Sequence, residues 1–143
     1  MAYWLMKSEP NVFSFADLAA KTARGEPEAW HGVRNYAARN HMKAMAIGDE
    51  AFFYHSNIGK EIVGLMRVIA LAHPDATAEL KDGKVVWECV DVAAVKTLPR
   101  PVTLETIKAT PELADMALIK LSRLSVSPVR PEEWALICRM GGL

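Results

Sequence analysis

The run Ile62-Val63-Gly64-Leu65-Met66-Arg67-Val68-Ile69-Ala70-Leu71-Ala72-His73 constrains the fold more than any other part of the chain. It is nearly all apolar and carries a single Arg. It therefore reads as a strand that is curved or fully buried, since a strand with one wet face would alternate apolar and polar residues. Such a strand needs neighbours on both sides and apolar layers over its faces, so the rest of the chain must supply a sheet and its covering.

The punctuation around it supplies both. Tyr3 to Lys7 reads as a first strand stopped by Ser8-Glu9-Pro10. Ser14 with Asp17 has the hydroxyl-x-x-acid pattern of a helix start, and that helix is expected to run to about Arg24 and end at Gly25. A second helix is expected over Val33–Met45, with Ala38, Met42 and Met45 inward and Asn35, Arg39 and Lys43 sharing an outward stripe. Gly48-Asp49 marks a turn before a strand over Ala51–Ser56. Lys81-Asp82-Gly83-Lys84 reads as a hairpin turn into a strand over Val85–Leu98, and Pro99-Arg100-Pro101 as a rigid stop. Thr103 is expected to cap a short helix, Pro111 to start another single turn, and Leu121–Val129 to form a half-exposed strand in which Ser125 and Ser127 alternate with apolar residues. Pro131-Glu132-Glu133 opens a last helix. Strands with interspersed helices and a hairpin predict an α+β fold built on a small mixed sheet or partly open barrel, with residues 1–143 as a single domain.

Charge excludes a simple electrostatic partner: 17 Lys and Arg balance 17 Asp and Glu. Any basic surface must be local. Residues 29–48 hold no acid but carry His31, Arg34, Arg39, His41 and Lys43, and residues 116–131 hold none but carry Lys120, Arg123 and Arg130. The two windows would form one basic face if they met in the fold. Cys89 and Cys138 lie far apart in sequence and outside any Cys-x-x-Cys spacing, which predicts two buried thiols in a reducing, cytoplasmic setting, without a disulfide or zinc site. No apolar run reaches the roughly 18–20 residues of a bilayer span, and the N-terminal residues lack the pattern of a signal peptide.

Catalytic motifs are scarce. His31, His41, His55 and His73 show no metal-ligand spacing, Gly59-Lys60 lacks the order of a phosphate loop, and the neighbours His55 and Ser56 would point to opposite faces of a strand. Neither a cofactor nor a metal is expected. The polar–aromatic segments say more. Trp30 sits among His31, Gly32, Arg34, Asn35 and Tyr36, where an indole could stack on a base, an amide read its edge and arginines neutralise phosphates. On the residues alone Trp30 reads first as a core anchor, and Tyr54-His55-Ser56-Asn57 equally as an ordinary polar strand end. Trp4, Trp87 and Trp134 lie in periodic apolar patterns and read as core.

Taken together, Tyr3–Pro10, Trp30–Asn40, Phe53–Asn57, Ile62–Gly64, Leu98–Leu104, Leu113–Leu118 and Ser122–Val126 resemble the EVE domain of the PUA-like superfamily. The resemblance covers nearly the whole chain. It implies a PUA-like mixed, strongly curved sheet or pseudo-barrel flanked by helices, shared with thymocyte nuclear protein-like chains and related to YTH domains, which hold a methylated adenine in an aromatic cage. By that analogy Lys7, Ser8, Trp30 and His31 stand beside a pocket, and Arg123 meets a nucleic-acid backbone. This chain carries Phe15 where family members often have Trp.

The reading that follows is a non-catalytic module recognising a modified nucleobase in DNA or RNA. Trp30 supplies a stacking surface with one face open, and Tyr54 or Tyr36 a second wall. Ser8, Asn35 and Ser56 offer hydrogen bonds beside His31, while Lys7, Arg34, Arg39 and Arg123 contact phosphates. Its rivals are a small-molecule binder or enzyme using His55 as acid or base, and an oligomeric scaffold. No membrane partner is expected, and the oligomeric state is left open.

Overall fold

The apolar run becomes β4 (Glu61–Pro74) in a computed structural model that describes residues 1–143. It lies between β3 (Glu50–His55) and β5 (Glu88–Thr103), antiparallel to both. Its register against β5 shifts four times, and such bulges bend a strand and tighten its twist. The remaining elements are β1 (Tyr3–Ser8), α1 (Phe15–Ala23), β2 (Glu28–Ala29), α2 (Tyr36–Ala44), α3 (Leu104–Lys108), a 3-10 turn (Pro111–Leu113), α4 (Ala117–Lys120), β6 (Val126–Val129) and α5 (Pro131–Met140). The six strands form one mixed sheet in the order β2-β5-β4-β3-β1-β6, with β1 and β3 parallel and every other pair antiparallel.

The pleat divides the core in two. Trp4 and Met6 of β1 and Ala51 and Phe53 of β3 face one layer, with Phe15 and Leu18 of α1 and Ala38 and Met42 of α2. Leu5, Phe52 and Tyr54 face the other, with Ile107 of α3, Leu118 of α4 and Trp134 and Ile137 of α5. Trp134 is stacked between Phe52 and Tyr3, at centroid distances of 4.0 and 4.5 Å. Trp4 packs in the first layer and donates its indole N–H to the buried Asp49 carboxylate at 3.0 Å.

Helix starts follow their caps. Ser14 and Asp17 form a complete capping box at α1. The next N–H, of Phe15, is donated to His55 Nε2 at 3.1 Å, and the Phe15 ring lies on the backbone of Gly64, where a Cβ would fall 2.4 Å from ring carbon. Helix α2 begins at Tyr36 and not at Val33, because the Asn35 side-chain oxygen accepts from the Ala38 N–H at 2.9 Å and makes Asn35 the cap.

Three other expectations need correction. Pro99-Arg100-Pro101 does not stop β5 but lies inside it. Residues 98–101 bulge out between the pairs Gly64↔Thr97 and Ile62↔Val102, so the missing proline donors leave no gap in the ladder. Asp82 and Gly83 take the left-handed conformations of a hairpin turn, at φ 52° and 73°, but only Lys81 and Lys84 pair beside it and β5 starts at Glu88. The last strand is shorter than expected, since the chain turns at Leu121–Leu124, where the Leu124 N–H donates to the Leu121 carbonyl at 2.9 Å, and β6 starts only at Val126. Ser127 is buried and not half-exposed, with no partner for its hydroxyl.

Candidate nucleic-acid interface

Beyond the end of β1, the loop into α1 and the segment from Glu28 to Arg34 enclose a cavity of about 260 Å³. Its walls are Lys7, Ser8, Val12, Phe13, Glu28, Ala29, Trp30, His31, Gly32, Val33, Arg34 and Ser125. Four residues singled out by the resemblance, Lys7, Ser8, Trp30 and His31, therefore share one cavity. Trp30 is only 6% exposed and meets Phe53 edge-on at 5.4 Å, so it is a core residue that also closes the cavity, and the open face expected of it is absent. His31 is exposed on the rim. The Ser8 hydroxyl donates to the Phe13 carbonyl at 2.6 Å, which leaves it free to accept but not to donate.

The rim is held by a residue that sequence reasoning missed. Asp75 is 5% exposed and accepts from the Gly32 N–H at 2.8 Å, Arg34 Nη1 at 3.0 Å, and the Thr77 N–H at 2.8 Å and hydroxyl at 2.6 Å. Burial disfavours its charge, but the hydrogen bonds from Thr77, Gly32 and Arg34 outweigh it and hold the carboxyl well below the usual range. Gly32 has φ +87°, a conformation that suits glycine and turns its N–H onto this carboxylate. Thr77 is a local partner, but the two that make Asp75 part of the rim, Gly32 and Arg34, lie more than forty residues away, so nothing around Asp75 in the sequence marked that role.

Several expected wall and phosphate residues lie elsewhere. Tyr54 and Ser56 line a separate cleft of about 400 Å³, since Tyr54 points to the opposite face of the sheet from Phe53 and Trp30. Tyr36 leaves the cavity to stack on Trp87 at 4.9 Å, with Arg34, Arg39 and Lys81 within 6.0 Å of one or both rings. Trp87 is thus buried under this surface cluster and belongs to neither core layer, a correction to its expected place. Arg34 is tied to Asp75, and Arg39 donates to the Val86 carbonyl at 2.9 Å and to Asn40, so both guanidiniums are held in place beside Trp87 while part of the five-donor fork of each stays uncommitted. Asn35 spends its side-chain oxygen on the helix cap. It shares a surface depression with Ala37 and with Leu121, Ser122, Arg123 and Leu124. The two acid-free windows meet there, and Arg123 is exposed and in no ion pair.

His55 is not placed as an acid or base. Its Nε2 is occupied by the start of α1, and burial lowers its pKa despite the opposing field of Glu61. No group of three or more His, Cys, Asp or Glu side chains is gathered that could hold a metal ion. Cys89 is buried, its thiol pushed up to about 11 by desolvation and by the carboxylates of Asp75 and Asp91.

The description of the EVE domain matches residues 2–140. The chain belongs to the EVE domain family. Mouse thymocyte nuclear protein 1 is 39% identical over 94% of this chain and 71% of its own length. Among solved structures, a protein from Agrobacterium tumefaciens matches with a TM-score of 0.93 and 52% identity, covering 100% of this chain and 94% of that one. Human THYN1 protein, solved in complex with DNA containing 5-methylcytosine, matches with a TM-score of 0.89 and 34% identity, covering 100% of this chain and 99% of that one. The architecture is accordingly the PUA-like α+β arrangement: a mixed sheet with helices on both faces.

Proposed function

We propose that this EVE domain is a non-catalytic module that binds DNA and holds one modified base in the cavity bounded by Lys7, Ser8, Trp30 and His31. One observation carries the reading. A relative sharing this fold over the whole chain is solved with 5-methylcytosine DNA, and this chain has a base-sized cavity at the residues the family resemblance singles out. At about 260 Å³ the cavity is small beside the roughly 300–1,000 Å³ of drug-sized ligand sites, which suits a single base. Phe13, Trp30 and Val33 give it an apolar lining that would accept a methyl group, the free lone pairs of Ser8 would meet the polar edge, and the ring of His31 on the rim would stack on the base. A cytoplasmic setting belongs to the same proposal, consistent with two free thiols placed in or against different core layers.

The test is fluorescence anisotropy on short DNAs differing only in one 5-methylcytosine, with RNA of the same sequence alongside. Tighter binding of the methylated DNA, falling steeply with salt, is the expected result. Equal affinity for methylated and unmethylated strands would overturn the proposed base pocket.

A further inference from the structure

We propose that the cleft on the other side of Lys7 is a binding site for nucleic-acid phosphates, with Lys7, Lys60 and Lys108 as its cations. This rests on the DNA-binding reading and adds the path of the backbone to it.

The cleft is about 400 Å³ and runs between the loop after β3 and the helices α3 and α4. It continues into a neighbouring depression of about 390 Å³ that shares Lys60, Leu104 and Lys108 with it. No carboxylate lines the main cleft. Glu105 stands at the far end, and Glu9 reaches only the near rim, where it accepts from the Asn57 amide. None of the three lysines takes part in any of the eight ion pairs in the molecule. In a chain whose charges balance, three uncompensated cations around one acid-free concavity mark a place for a polyanion.

The three are not equivalent. Lys60 and Lys108 are exposed, and neither is held by an ion pair. Lys7 is half-buried, and its ammonium is fixed by donation to the Ser122 carbonyl at 2.7 Å, 5.9 Å from the centre of the Tyr54 ring. Ser56, Asn57 and Ser122 add neutral polar groups along the wall. The decisive feature is Lys7, which lines both this cleft and the base cavity. A nucleotide whose base enters beside Trp30 would have its own phosphates directed over Lys7 toward Lys60 and Lys108. This also gives Tyr54 and Ser56 a place beside the backbone instead of the base.

The test compares wild type with the double variant Lys60→Ala/Lys108→Ala in salt titrations on methylated and unmethylated DNA. Both residues are exposed, so folding should be unaffected, and matching melting curves check it. Each lost phosphate contact should make the plot of log affinity against log salt shallower by about 0.9 on duplex DNA, or about 0.7 on a single strand. The expected result is weaker binding with a slope reduced by about two such contacts, and an unchanged preference between the two DNAs. A slope and affinity equal to those of wild type would overturn the cleft, whatever the preference. A wild-type protein indifferent to methylation, but with a lysine-dependent slope, would keep the cleft and overturn the base pocket. Competition with a free mononucleotide provides a further arm. Displacement of the DNA with equal strength from wild type and variant supports a backbone role for Lys60 and Lys108, and a large loss in the variant would assign them to a free-nucleotide site.

Discussion

Trp30 carries two loads, one on the core and one on the cavity, and single substitutions separate them. Its indole is buried against Phe53, so Trp30→Ala should remove about 3–5 kcal/mol of stability, most of what a marginal domain has. Loss of binding by that variant would say nothing about stacking. His31 is the informative neighbour, exposed on the same rim with no side-chain hydrogen bond to lose. His31→Ala should leave the melting temperature unchanged and weaken the methylated complex by about 1–3 kcal/mol if the imidazole stacks on the base. Thermal melts paired with anisotropy decide it, and a stable variant of unchanged affinity would remove His31 from the pocket. The residue names were largely legible in the sequence and their roles much less so. Ser8, Trp30 and His31 line the cavity, yet Tyr36 and Tyr54 do not. For Tyr54 the reason was within reach: strand alternation places it and Phe53 on opposite faces, and Phe53 is the residue that meets Trp30. For Tyr36 it was not, because its partner Trp87 comes from a distant hairpin.

The seating of α1 on the sheet depends on a missing side chain. The Phe15 ring occupies the space a Cβ would take on Gly64, and its own N–H is held by His55. Gly64→Ala should therefore push α1 outward and cost about 1–3 kcal/mol, as overpacking of a filled core does. Gly64→Ala combined with Phe15→Leu should recover part of it, and denaturant unfolding of the two variants measures the difference. A fully stable Gly64→Ala protein would show that the helix can shift at no cost. Elements with local signals were legible: the Ser14 cap, the Thr103 cap, the Pro111 turn and the Pro131 helix start all stand where the chain places them. Elements fixed by distant partners were not. Prolines ordinarily end a strand, and only the pairing of Ile62 with Val102 across the bulge reveals that β5 continues. The reach of the Asp75 carboxylate to Gly32 and Arg34, which shapes the rim, is equally invisible to local reasoning.

Across the whole molecule, three histidines set opposing pH limbs. Burial holds His41 and His55 below the ordinary value of about 6.5, while the hydrogen bond that His73 donates to the Asp91 carboxylate, 2.7 Å away, raises His73. For the lowered pair the unfolded chain binds more protons, so their stability is complete above about pH 6.5 and is lost as pH falls toward their folded values. For His73 the sign reverses: its contribution is complete below about 6.5 and is lost as pH rises through its folded value. The melting temperature should therefore peak near about pH 6.5 and decline on both sides. His73→Asn should flatten the alkaline limb, and His55→Asn should flatten part of the acid limb. A monotonic profile through this window would contradict the arrangement.

The sheet order has a temporal consequence as well. The strand made first, β1, lies between β3 and β6, so residues about 120 positions apart must pair before the sheet is complete. While the ribosome is still adding the segment beyond residue 125, β1 has β3 on one side and a bare row of backbone donors and acceptors on the other. An exposed edge of that kind is a template for another chain. Pairing with β6 is what covers that edge, and chains ending before Val126 should depend most on chaperones.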